Sequence, residues 1–276
     1  MDRIRLIASD MDATLLDEQS QLPADFEETI HALAELGIRF APASGRPLYT
    51  LEELFPTLRD ELVFIGDNGG AIRWKGQNLF TSEMSPEGWR ALNRLTREQG
   101  DIAVLCGLES AYVERPFAVH DAVLRHFYTK IEYVDRLEDV AAPADKFTIY
   151  LPQHNAQQAY DTVYASQRSI YSVAVAGECW VDIMNPGVHK GAALQTLGQL
   201  WGLPSESMMA FGDTYNDAEM LRTAKYGFLM ENGSVPLRQK VPFLAPSHRE
   251  AGVMQVLHRV LAQNGCVCPE DFIPAH

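Results

Sequence analysis

Asp10 and Asp12 stand one residue apart in the stretch "SDMDATLLD", directly behind the apolar run Ile4, Leu6, Ile7 and Ala8. Two carboxylates this close repel each other unless a cation, a proton or a division of tasks separates them. Three more stretches share the form of an apolar run followed by a polar turn: "PASGRP" with Ser44, Gly45 and Arg46, "GDNGG" with Asp67 and Asn68, and "GDTYND" with Asp213, Asn216 and Asp217. If each run is a strand of one open parallel sheet, these groups meet in the crevice beyond the strands' carboxyl ends. Asp10 with Asp213 then makes a hard-oxygen site suited to Mg²⁺, with Asp217 a helical turn further on, binding directly or through water. A single Asp behind a strand is ordinarily a helix cap or turn former. Four polar strand ends together argue for a ligand.

A phosphate beside such a metal needs neutralising on its other side. Lys190 follows "NPGVH" at the start of an expected helix, where free N–H groups and the helix dipole favour an anion. In isolation it would read as an exposed helix lysine. Ser44 and the N–H of Gly45 can donate further hydrogen bonds, because glycine lets a ligand approach the backbone; as plain structure, "SGR" is a strand-to-helix turn capped by Ser44. With these parts Asp10 is placed to attack phosphorus and form an aspartyl-phosphate, while Asp12 protonates the leaving oxygen and then activates water. The metal, Lys190 and Ser44 would offset charge on the transferring group.

The elements that must position these residues are strands over residues 3–9, 38–41, 62–65, 208–211 and 226–230, alternating with helices over 24–36, 48–55, 190–201, 217–221 and 252–263. Such alternation predicts βαβ units and a parallel sheet. Between them the pattern changes. Helices over 86–99, 118–128 and 155–166, with strands over 102–106, 111–114, 131–134, 146–151, 170–176 and 179–184, predict an antiparallel sheet with helices on one face. The fold class is therefore α/β, a Rossmann-like parallel-sheet core with an inserted α+β cap; residues 1–80 plus 186–276 form the core and 81–185 the cap. At 276 residues, length favours either two domains or one domain with a large insertion.

Hydrophobic residues make up 46% and charged residues 22% of the chain, as in an ordinary globular protein, and the net charge is −14. That charge argues against nucleic acid or anionic membrane as partner, since both need a basic surface. It leaves a small phosphorylated metabolite open, because a metal or a few lysines reverse the local sign. No secretory leader and no membrane-length apolar run is visible, so a cytoplasmic protein is expected, as monomer or homodimer. Cys106, Cys179, Cys266 and Cys268 read as free thiols, the C-x-C near the C-terminus included.

"SDMDATLL", "ASGR", "VHKGAAL" and "GDTYNDAEML" together resemble, in order and spacing, the four motifs of the haloacid dehalogenase-like superfamily of aspartate-nucleophile phosphatases, in particular its Cof-type group (subfamily IIB) with a large α+β cap. "DNGGAI" before the cap and "LMENG" after the last motif agree. The resemblance implies Asp10 as nucleophile and metal ligand, Asp12 as acid/base with its carbonyl on the metal, Asp213 as the third ligand and Asp217 supporting the metal shell. It also implies phosphate contacts from Met11 backbone, Ser44, Gly45, Lys190 and Asn216, with Thr14 fixing the turn and Mg²⁺ as cofactor. The activity it implies is Mg²⁺-dependent hydrolysis of small phosphomonoesters, the cap choosing the substrate.

Departures are Ala13 where glycine is usual, "DNGG" for N-G-A, and "SHREAGV" for N-x-x-D-G-V. If the turn needs φ > 0 at residue 13, alanine there carries a strain of about 1–2 kcal/mol. Two other classes compete: a phosphotransferase or mutase on the same scaffold, and a non-catalytic binding protein. The second predicts loss of at least one of Asp10, Asp12, Lys190 or Asp213, and all are present. In the cap, the turns at Gly107–Ser110 and Gly177–Glu178 and the side chain of Arg115 are candidates to face the crevice, Arg115 reading equally as a surface arginine.

Overall fold

The run Leu6-Ile7-Ala8 is apolar at every position because it is buried on both sides, Ile7 against one helical layer and Leu6 and Ala8 against the other. The computed structural model describes residues 1–276. In it, Leu6–Asp10 is the middle strand of a nine-stranded sheet. The order from edge to edge is Ile273–Pro274, Phe243–Ala245, Tyr226–Met230, Met208–Gly212, Leu6–Asp10, Arg39–Ala43, Val63–Gly66, Ala71–Trp74 and Gln77–Thr81. The strands from Phe243–Ala245 through Val63–Gly66 are mutually parallel. Helices Phe26–Glu35 and Gly252–Ala262 cover one face, and Lys190–Trp201 and Ala218–Thr223 the other.

A second sheet of six strands lies within the stretch between Ile102 and Met184, in the order Ser172–Val175, Trp180–Met184, Ala144–Tyr150, Ile102–Gly107, Ala111–Glu114 and Ile131–Val134. It has its own apolar clusters, separate from those of the large sheet. Two expectations fail here. Ala111–Glu114 and Ile131–Val134 pair in parallel, not antiparallel. A parallel neighbour requires a crossover, and the connection, a 3₁₀ turn Arg115–His120 running into helix Asp121–Phe127, packs Leu124 on the face opposite Pro86–Gln99 and Ala156–Thr162. Helical segments thus cover both faces.

The chain crosses between the sheets twice, and the crossings meet. Asn185 Nδ2 donates to the Ser82 carbonyl at 3.3 Å, to Ser82 Oγ at 3.1 Å and to the Glu83 carbonyl at 2.8 Å. Other differences from the sequence reading are local. The strand expected over 3–9 is broken: Asp2–Arg3 pairs with Cys266–Val267, and Leu6–Asp10 joins the large sheet. The hairpin Ala71–Trp74 and Gln77–Thr81 was not expected, although Lys75 and Gly76, at φ 50° and 71°, form the left-handed turn its tip requires. The helix over 155–166 divides into Ala156–Thr162 and a 3₁₀ turn Tyr164–Ser169. All four cysteines are free.

Candidate active site

Because Leu6–Asp10 and Met208–Gly212 are parallel neighbours, Asp10 and Asp213 emerge at the same edge of the sheet. Asp217 reaches the same place from the turn Tyr215–Asp217. One oxygen from each of Asp10, Asp213 and Asp217 lies within 4.8 Å of the others, and all three residues are buried. Asp217 is held tightly: Oδ2 accepts from the N–H groups of Asp213 at 3.1 Å and Thr214 at 3.2 Å. Only glycine permits this at the strand end, since a Cβ on Gly212 would lie 2.4 Å from that of Asp217. Thr14 Oγ1 donates to Asp213 Oδ1 at 3.4 Å.

Lys190 begins helix Lys190–Trp201, whose first turn is capped by His189 Nδ1 accepting from the Ala192 N–H at 3.1 Å. Its ammonium is fully buried and donates to Asp10 Oδ1 and, at 2.7 Å, to Asp217 Oδ1. One ammonium among three carboxylates leaves negative charge unbalanced. Burial, and then the Asp217 charge, push the Asp10 carboxyl up to about 8 and the Asp213 carboxyl up to about 7. Burial also works against the Lys190 ammonium, but Asp10 and Asp217 outweigh it and hold its pKa above the ordinary value. A hard divalent cation fits this set of oxygen donors and relieves the same repulsion.

The Asp12 carboxylate is not part of that cluster. Its side chain is 58% exposed and pairs with Arg46 Nη2 at 2.8 Å. The intervening turn is closed by the Leu16 N–H donating to the Met11 carbonyl at 2.9 Å, with Ala13 left-handed at φ 58° and ψ 14°. Asn232 Nδ2 donates to the Ala13 carbonyl at 2.8 Å, and Asn232 Oδ1 accepts from the His248 N–H at 3.0 Å.

The haloacid dehalogenase-like hydrolase family matches residues 7–257. The chain belongs to this family. Among its relatives, the 5-amino-6-(5-phospho-D-ribitylamino)uracil phosphatase YbjI of Escherichia coli (strain K12) is 32% identical over 262 residues, covering 94% of this chain and 96% of that protein. The HMP-PP phosphatase of Cronobacter sakazakii is 31% identical over 249 residues, covering 87% and 89%. Among solved structures, SMU.1108c from Streptococcus mutans UA159 superposes with a TM-score of 0.85 at 29% identity, covering 94% of this chain and 99% of that one. A haloacid dehalogenase-like hydrolase from Bacteroides thetaiotaomicron, at 23% identity and a TM-score of 0.82, covers 94% and 100% and shares the fold. This chain is a phosphatase of the haloacid dehalogenase-like family.

In this haloacid dehalogenase-like phosphatase the remaining residues singled out from sequence are distributed unevenly. Ser44 is buried, and its Oγ accepts from the Arg46 N–H at 3.1 Å, which leaves its own proton free to donate. Gly45 is partly exposed in the same turn, and Met11 buries its side chain in the core. Asn216 is exposed, its Oδ1 accepting from Thr214 Oγ1 at 2.5 Å. Arg115 forms a surface ion pair with Asp135 at 2.7 Å, which is the plain reading of that residue. Of the cap turns, Gly107–Ser110 does touch the core: Glu109 pairs with buried Arg73 at 2.6 Å. Sequence reasoning gave no role to Arg46 or Asn232, although both lie in quoted stretches, and it passed over Lys146 altogether.

Proposed function

We propose that the enzyme hydrolyses small phosphomonoesters with Mg²⁺ through an aspartyl-phosphate on Asp10, and that it works in the cytoplasm as a monomer or homodimer. The observation that carries this is the buried group of Asp10, Asp213, Asp217 and Lys190 at the carboxyl edge of the parallel strands. Asp10, Asp213 and the Asp12 carbonyl would hold the ion, with Asp217 anchoring the loop behind them. When bound, Mg²⁺ offsets the negative charge between a phosphoryl group and the carboxylates.

Asp10 then forms the bond to phosphorus as the ester oxygen leaves, and Asp12 gives that oxygen its proton. In the second step Asp12 takes a proton from water, the water oxygen attacks phosphorus, and phosphate and free Asp10 result. The exposed, one-sided pairing of Asp12 with Arg46 supports this role, since the side chain can turn towards a leaving group. The Met11 and Gly45 N–H groups, Ser44, Lys190 and Asn216 bind phosphoryl oxygens. Residues 1–80 with 186–276 serve as the catalytic unit, and 81–185 as the cap that selects among substrates.

The relatives' names point to phosphorylated small metabolites as substrates, a ribitylamino-uracil phosphate and HMP-PP among them. Phosphate release should be screened over a panel of phosphorylated metabolites with Mg²⁺. Asp10→Asn should abolish release from every member, a fall of about a thousandfold or more in kcat; an unchanged rate would remove Asp10 as nucleophile.

A further inference from the structure

Lys146 stands in Ala144–Tyr150, a central strand of the smaller sheet, yet its ammonium lies among the loops of the larger one. Only 2% exposed, it donates to the Gly45 carbonyl at 2.6 Å and pairs with Asp67 Oδ1 at 2.9 Å and Asp182 Oδ2 at 3.8 Å. Asp182, on the neighbouring strand, accepts from Thr148 Oγ1 at 2.8 Å and from Asn68 Nδ2 at 3.1 Å. Asp145, fully buried, rests against Gly70, where a Cβ would meet its Oδ2 at 2.9 Å. Two buried carboxylates thus pair with one ammonium, and a third, Asp145, is buried beside Asp67. Burial pushes the Asp67 and Asp145 carboxyls up, while Asp182 and Asp67 keep Lys146 charged against its own burial.

Buried ionic groups are a poor way to glue two units together, because apolar contacts of the same volume do it at least as well. The use of this cluster lies in what it fixes. The Gly45–Arg46 peptide is held at both ends: Lys146 takes its carbonyl, and its N–H donates to Ser44 Oγ at 3.1 Å. That second bond uses Ser44 Oγ as an acceptor and leaves its hydroxyl proton free to donate elsewhere. The loop Asp67–Gly70 braces the same turn, the Asn68 N–H donating to the Ser44 carbonyl and the Asp67 N–H to the Arg46 carbonyl, both at 2.9 Å. It also abuts the start of the Lys190 helix: a Cβ on Gly69 would lie 2.6 Å from the His189 carbonyl oxygen.

We propose that Lys146 is a positioning residue, reaching over from the inserted sheet to set the Ser44–Gly45 turn for phosphoryl binding whenever that sheet sits on the core. The inference rests on the phosphatase reading above, and its test separates the two. Orthophosphate affinity is measured by calorimetry with Mg²⁺ present, alongside kcat and KM for a generic phosphomonoester. Lys146→Met should weaken orthophosphate about tenfold and lower kcat/KM at least as much, with the fold retained by circular dichroism. Lys146→Met combined with Asp182→Asn keeps the cluster's net charge, and should show the same loss if the single variant does not fold.

Orthophosphate affinity within twofold of the parent in a folded variant overturns the proposal, as does failure of both variants to fold, which makes Lys146 purely structural. A parent that neither binds orthophosphate nor releases phosphate overturns the phosphatase reading itself.

Discussion

Asp217 accepts a hydrogen bond from Lys190 at 2.7 Å with neither side chain exposed, joining the loop after one strand to the first residue of a helix on the adjoining layer. The two oxygens of Asp217 have separate tasks. Oδ1 takes the ammonium, and Oδ2 closes the turn through the Asp213 and Thr214 N–H groups. Asn at this position can satisfy one side only, because its amide would set a donor against either the ammonium or the two backbone donors. Asp217→Asn is therefore expected to destabilise the protein by about 1–3 kcal/mol, the range for a buried polar group left unpaired. Urea denaturation should show a lower midpoint at an unchanged slope; a stability equal to the parent's would mean that Asp217 anchors nothing.

The elevated Asp10 and Asp213 carboxyls make the metal-free protein sensitive to pH in a definite direction. Unfolded, both groups lose their protons near 3.8; folded, they keep them to about 8 and about 7. Between those limits the folded state binds the extra protons, so their contribution to stability is present at low pH and is lost as pH rises through 7 and 8. A cation competes with the same protons. Mg²⁺ affinity should therefore tighten with pH, by about tenfold per unit for each proton displaced. Calorimetry at pH 6, 7 and 8 in buffers of different ionisation enthalpy would detect the proton release; pH-independent binding would contradict this electrostatic picture.

Ala13 occupies the left-handed region at φ 58°, where an L-residue carries about 1–2 kcal/mol of strain. Glycine removes that strain but loses up to about 1 kcal/mol to the greater freedom of its unfolded chain. Ala13→Gly should thus raise the melting temperature by about 1–3 °C, with the Asn232 bond to the residue 13 carbonyl preserved and turnover not slowed. A lower melting temperature would show that the Ala13 methyl makes a contact worth more than the strain.

The parallel sheet and the convergence of Asp10, Ser44, Asp213 and Lys190 on one edge were legible because each part has a local signature. Strands buried on both faces show as unbroken apolar runs, and helix Pro86–Gln99 announces itself through Ser85 at its N-cap, proline at its first position and Gly100 behind it. The direction of Ile131–Val134 had no such mark, since antiparallel and parallel partners look alike in four residues; only the long connection before it hinted at a crossover. Lys146 was hidden for another reason. Its contact with Gly45 spans 101 residues and that with Asp67 fewer, and the only local sign is a pair of charges, Asp145 and Lys146, inside a fully buried strand. Charged residues there demand partners, and a sequence does not say which.

Asn185 binds Ser82 and Glu83, so the inserted sheet begins and ends at nearly one point in space. A gene for this fold can lengthen, shorten or exchange the stretch between those residues without disturbing the spacing of the strands that carry Asp10, Ser44 and Asp213. If the inserted stretch selects the substrate, as proposed above, selection for a new substrate and selection for the chemistry fall on separable parts of one gene. A transplanted insertion would have to keep the contacts between the two sheets, among them Lys146 with Gly45 and Asp67, Asp182 with Asn68, Thr129 with Thr50 and Glu109 with Arg73.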